Sequence, residues 1–145
     1  MNPVPTQTGN RSAARIKPLV RSVVASRAKK TVCVLTVFGT RPEAIKLAPL
    51  IRELRQRPGI TSKVCVTAQH REMLDQVLDV FGIVPDHDLN LMQKDQTLPQ
   101  LAASVFQKLA PVLQSERPDW VVVQGDTTTA AMTALALLIH YALKS

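Results

Sequence analysis

The chain has 145 residues, 46% of them hydrophobic, and carries 18 Lys+Arg against 11 Asp+Glu for a formal net charge of +7. That length bounds it to about one domain. The excess charge is local: residues 1–30 hold seven basic side chains and no acidic one, while residues 31–145 hold eleven of each sign. The body therefore lacks the basic face of a nucleic-acid binder. An aromatic content of 3% also argues against stacking platforms for single strands.

In chain order, residues 1–30 form a basic stretch rich in Arg, Ser and Ala with few large apolar side chains. It reads as a disordered N-terminal extension. The same acid-free character belongs to organellar transit peptides, to solvated basic tails and to a start codon assigned too far upstream, and the stretch has no apolar core of the length a secretory signal needs. Residues 31–145 read as the folded domain.

The run Val32-Cys33-Val34-Leu35-Thr36-Val37-Phe38 is nearly continuous in apolar and β-branched residues, as expected of a buried parallel strand. It breaks at Gly39-Thr40-Arg41-Pro42, and Pro42 suits the first turn of a helix. Ala44, Leu47, Ala48 and Ile51 then follow helical spacing until Pro58-Gly59. A second strand is expected at about 62–67. It leads through Ala68-Gln69-His70 into a helix with Met73, Leu74, Val77, Leu78 and Phe81 on one face, closed by Gly82.

A short third strand is expected at Leu89–Met92. Thr97-Leu98-Pro99-Gln100 has the spacing of a capping box and opens a helix bearing Leu98, Leu101, Ala102, Val105, Leu109, Val112 and Leu113. Trp120-Val121-Val122-Val123 makes a fourth strand, broken by Gln124-Gly125-Asp126 before a Thr/Ala/Leu-rich helix. The uncharged stretch Thr127–Leu143 is too short and too rich in Thr and Ala to span a bilayer. Cys33 and Cys65 lie in strand-like apolar runs and read as small buried hydrophobes. They make neither a disulfide framework nor a metal site and suit a reducing cytoplasm.

The βαβαβαβα alternation implies an α/β fold: a Rossmann-like parallel sheet of four strands with four flanking helices. Ligands of such sheets bind beyond the carboxyl ends of the strands, where three polar turns lie. At Gly39–Lys46, a helix N-terminus offers free N–H groups and a positive dipole end to an anion. Arg41 there adds a planar fork suited to phosphate, and Lys46 could reach the same opening. The turn is equally compatible with solvated Arg and Lys, since it has neither dinucleotide nor P-loop spacing. At Gln69-His70-Arg71-Glu72, His70 suits acid/base or ligand contact, or Gln69 or His70 caps the helix. At Gln124–Thr129, Asp126 is a natural N-cap, and the small polar side chains around it also suit a sugar or phosphate site.

The segments Phe38-Gly39-Thr40-Arg41-Pro42-Glu43-Ala44-Ile45-Lys46, Thr67-Ala68-Gln69-His70-Arg71-Glu72-Met73-Leu74-Asp75-Gln76 and Gly125-Asp126-Thr127-Thr128-Thr129 closely resemble the non-hydrolysing UDP-N-acetylglucosamine 2-epimerases. The resemblance runs in order from about Val32 to Ala134. It implies the N-terminal half of a two-domain GT-B-type fold with the nucleotide sugar in the cleft between halves. It also implies interconversion of UDP-GlcNAc and UDP-ManNAc, for polysaccharide biosynthesis, through UDP elimination and re-addition, with no nicotinamide or metal cofactor. By similarity Arg41 and Lys46 contact the diphosphate or substrate, and Asp126 is a catalytic-site carboxylate. Gln69 and His70 match a segment near the regulatory substrate site of some relatives.

Departures accompany the resemblance. Gln124 stands where relatives commonly carry His, the last nine residues drift from the family pattern, and the later glutamates, histidine and uracil-binding domain lie beyond this sequence. The expectation is a cytoplasmic chain that binds a UDP-sugar, without nucleic-acid or membrane partners, and is inactive alone. It is a homodimer or is completed by a C-terminal half in trans. The alternatives are a non-catalytic nucleotide-sugar-binding fragment and one half of a split enzyme.

Overall fold

The computed structural model describes residues 31–68 and 71–142. The extension expected at 1–30, Gln69 and His70, and residues 143–145 lie outside them. The elements follow in order as β1 (Val32–Phe38), α1 (Arg41–Gln56), β2 (Ile60–Val66), α2 (Arg71–Phe81), β3 (His87–Asp88), α3 (Leu98–Glu116), β4 (Trp120–Val123) and α4 (Thr128–Ala142). The four strands form one sheet in the order β3-β2-β1-β4, and every pairing is parallel. Val32 lies opposite Ile60 and Phe38 opposite Val66, while Val34 lies opposite Trp120 on the other flank of β1.

The two-residue period of a strand divides the core. Phe38, Val64, Val66 and Val122 face the helices α1 and α2, packing on Ala44, Leu47, Ile51, Leu74 and Val77. Leu35, Val37, Cys65, Val121 and Val123 face the opposite side and pack with Leu101, Val105, Leu109 and Ala136 of α3 and α4. With both faces covered, the strands are apolar on both sides, which is why β1 reads as a continuous rather than an alternating run.

Three details differ from expectation. Strand β2 begins at Ile60, because Gly59, at φ +82°, turns the chain directly into the sheet and its carbonyl accepts the N–H of Val32 at 2.9 Å. It ends at Val66, and Ala68 (φ +54°) then leaves the extended conformation. Strand β3 is His87–Asp88, not Leu89–Met92. The Asp88 carboxylate accepts the N–H of Asn90 at 3.0 Å, and Asn90 adopts φ +42°, so this local turn ends the strand. Leu89 and Leu91 are nevertheless buried, with their N–H groups donated to Val66 and Thr67 at 2.8 and 2.9 Å. On α2, Leu74, Val77 and Leu78 are buried, whereas Met73 and Phe81 sit at the margin of the apolar face and stay exposed.

The capping box of α3 is formed: Gln100 Oε1 accepts the N–H of Thr97 at 2.8 Å, and Thr97 Oγ1 accepts the N–H of Gln100 at 3.4 Å. No helix among the described residues is long and apolar enough to cross a membrane.

Candidate functional site

Since all four strands are parallel, the β1–α1 and β4–α4 loops emerge at the same, C-terminal edge, and β1 and β4 are neighbours. The two loops meet through a residue that was not singled out from the sequence. Glu43, in the first turn of α1, is 3% exposed. Its Oε2 accepts the N–H of Gly39 at 2.8 Å and that of Thr40 at 3.1 Å. Its Oε1 accepts the hydroxyl hydrogen of Thr127, at the head of α4, at 2.8 Å. The second loop reaches Glu43 closely because Gly125 has no side chain: a Cβ there would fall 3.1 Å from Oε1 of Glu43.

This arrangement corrects the reading of the first loop. A carboxylate from inside the protein already takes the Gly39 and Thr40 amides, so they are not an open cradle for an outside anion. The side chains of Arg41 and Lys46 are exposed at this edge. The Thr40-x-x-Glu43 spacing, identical to that of Thr97-x-x-Gln100, was the available signal for Glu43.

The reading of Asp126 as the cap of α4 is likewise corrected. Thr127 caps that helix, accepting the Ala130 N–H on Oγ1 at 3.2 Å and the Ala131 N–H on its carbonyl at 3.1 Å. Asp126, one residue earlier, is exposed on the edge and released from capping. The structure therefore brings together the loops bearing Arg41 and Asp126. Gln69 and His70 lie outside the described residues. Their neighbour Arg71 is not solvated freely: its guanidinium pairs with Asp75 at 3.0 Å and with Asp88. The hydrogen bond to Asp88 is the main reason its pKa is raised.

Both cysteine thiols lie where the thiolate is disfavoured. Burial, with the Asp88 charge adding, pushes the Cys65 thiol up to about 12. Burial also raises Cys33, helped by Glu116 and Asp119. Both are free thiols. Among the described residues no cluster of three or more His, Cys, Asp or Glu is placed to hold a metal ion. A cavity of about 720 Å³ lies between the C-terminal ends of α1 and α2, lined by Arg52, Gln56, Phe81 and Ile83 among others. None of the candidate residues lines it.

A parallel, two-faced sheet whose polar loops converge at one edge defines a Rossmann-like α/β domain. The UDP-N-acetylglucosamine 2-epimerase family model matches residues 52–141, and the chain belongs to that family. It is 59% identical over 103 residues to the UDP-N-acetylglucosamine 2-epimerase of Salmonella typhimurium, covering 71% of this chain and 27% of that protein. It is 53% identical over 111 residues to that of Bacillus subtilis, covering 77% and 29%. Among solved structures, the Neisseria meningitidis UDP-GlcNAc 2-epimerase bound to UDP-GlcNAc superposes with a TM-score of 0.73 at 54% identity, over 76% of this chain and 30% of that one. The chain thus spans under a third of the length of these relatives and corresponds to the N-terminal part of their GT-B-type fold.

Proposed function

We propose that residues 31–145 supply one wall of a UDP-N-acetylglucosamine 2-epimerase active site, interconverting UDP-GlcNAc and UDP-ManNAc in the cytoplasm. The observation that carries this reading is the convergence of the Arg41 and Asp126 loops on Glu43 in a chain of this family. Arg41 and Lys46 meet the diphosphate, Asp126 is the carboxylate of the catalytic wall, and Gln69 and His70 contact substrate. Breaking the sugar–phosphate bond builds negative charge on the departing UDP, and a guanidinium at that position stabilises it. Removal of the C2 proton requires a positioned base, and the complete site draws further groups from a second domain.

Two measurements test this. Calorimetric titration of the 145-residue chain with UDP should show binding that Arg41→Ala weakens about tenfold or more, the scale of a charge-assisted bidentate contact. An epimerase assay should show no turnover by the chain alone and turnover once the C-terminal portion of a relative is supplied. Absence of UDP binding, or turnover by the isolated chain, would overturn the reading.

A further inference from the structure

The buried charged side chain at this edge is not among the residues expected to touch substrate. Glu43 sits on α1, yet its carboxylate bonds to both loops: Gly39 and Thr40 on one side, Thr127 on the other. The residues it touches are the immediate neighbours of the two candidates. Arg41 follows Thr40, and Asp126 lies between Gly125 and Thr127. A helix-capping role accounts for the two amides of its own loop. It does not account for the hydroxyl 84 positions away, nor for a glycine whose missing Cβ leaves room for the same oxygen.

We infer that Glu43 is a positioning residue that sets the separation of Arg41 and Asp126 by tying the β1–α1 loop to the β4–α4 loop. A carboxylate suits this task because each oxygen accepts from a different loop along a fixed planar fork, and it can do so only while both loops offer their donors. Burial keeps water from competing for those donors. The inference rests on the reading of this edge as the UDP-sugar wall, and it adds that the grip of Arg41 depends on a residue that never meets the ligand.

The test uses the 145-residue chain and UDP. Glu43→Met keeps an unbranched side chain of similar reach but removes every acceptor, leaving Thr127 to cap α4. Glu43→Gln keeps an acceptor for the two amides and can donate its N–H to Thr127 Oγ1. UDP affinity is measured for each variant with Arg41 and again in an Arg41→Lys background, which retains the charge but loses the fork. Glu43→Met is expected to weaken UDP binding about tenfold with Arg41 present and by less than about threefold with Lys, the coupling of residues that act together. Glu43→Gln is expected to stay within about twofold of its parent in both backgrounds.

An unchanged affinity in Glu43→Met, or an equal loss in both backgrounds, overturns the inference, since a residue needed only for stability would not discriminate between Arg41 and Lys. If Glu43→Met does not fold, Thr127→Val, controlled for the lost cap by Thr127→Ser, is read in the same way. Should the unaltered chain bind no UDP, the functional reading fails first. The tie is then judged by amide NMR: Thr127→Val should shift the Gly39 and Thr40 resonances across the gap, and resonances that stay in place overturn it.

Discussion

Gly125 combines two demands on one residue. Its φ of +102° is costly for any L side chain, and a Cβ would stand 3.1 Å from Oε1 of a carboxylate group that three donors, one on that oxygen and two on the other, hold in place. The neighbouring Glu43 can retreat only by releasing its hydrogen bonds. Gly125→Ala is therefore expected to lower stability by about 1–3 kcal/mol, the range for a strained backbone position. A reduced urea midpoint at unchanged m-value would show it. A midpoint equal to that of the parent would mean that the loop moves freely away from Glu43.

Among the elements, β2 and β3 are joined as much by side chains as by their short ladder. Asp86 accepts the Val64 N–H at 2.9 Å and pairs with Lys63 at 3.0 Å. Burial alone would raise its pKa, but the Val64 N–H, Lys63 and Arg55 together overcome that and hold the carboxyl below its usual range. The native carboxylate thus binds its proton less tightly than the unfolded chain does. Its contribution to stability is present above the ordinary Asp value of about 4 and drains away as pH falls through the lowered native one. Asp86→Asn is expected to cost about 1 kcal/mol at pH 7, with the difference from the parent shrinking toward pH 3. Urea melts at the two pH values measure it, and an equal cost at both would exclude the charge as its source.

The same elements show what sequence reading can reach. Strands β1 and β4, the starts of α1 and α3, and the role of Gly82 as a helix stop were legible because each is set by local chemistry: β-branched runs, Pro in a first turn, a Thr-x-x-Gln box. The position of β3 was not, because an Asp88–Asn90 turn decided it against the apolar signal of Leu89 and Leu91. At the candidate site, Arg41, Lys46 and Asp126 were visible as polar residues after strands. The bond between Glu43 and Thr127 was not, since it arises only once β1 and β4 lie side by side.

At the scale of the whole molecule, the sheet ends on β4, and among the described residues no strand pairs with its outer edge. Trp120 on that strand is 68% exposed, as is Leu138 on α4. Open strand edges and exposed apolar side chains favour pairing between copies. The 145-residue chain is expected to self-associate as its concentration rises, and Trp120→Lys to delay this. Light scattering over a concentration series checks it, and a monodisperse chain throughout would overturn it.

Occupation of the Gly39 and Thr40 amides by Glu43 also bears on how the edge responds to its surroundings. A cradle of backbone N–H groups presents fixed partial charges close to a phosphate. Arg41 and Lys46 are exposed side chains, whose charges dissolved ions screen over a Debye length of about 8 Å at physiological salt. Two backbone donors of this edge are thus committed to an anion of the protein's own. If this edge meets a diphosphate as proposed, that contact weakens as ionic strength rises, while the buried carboxylate tie beneath it is screened much less.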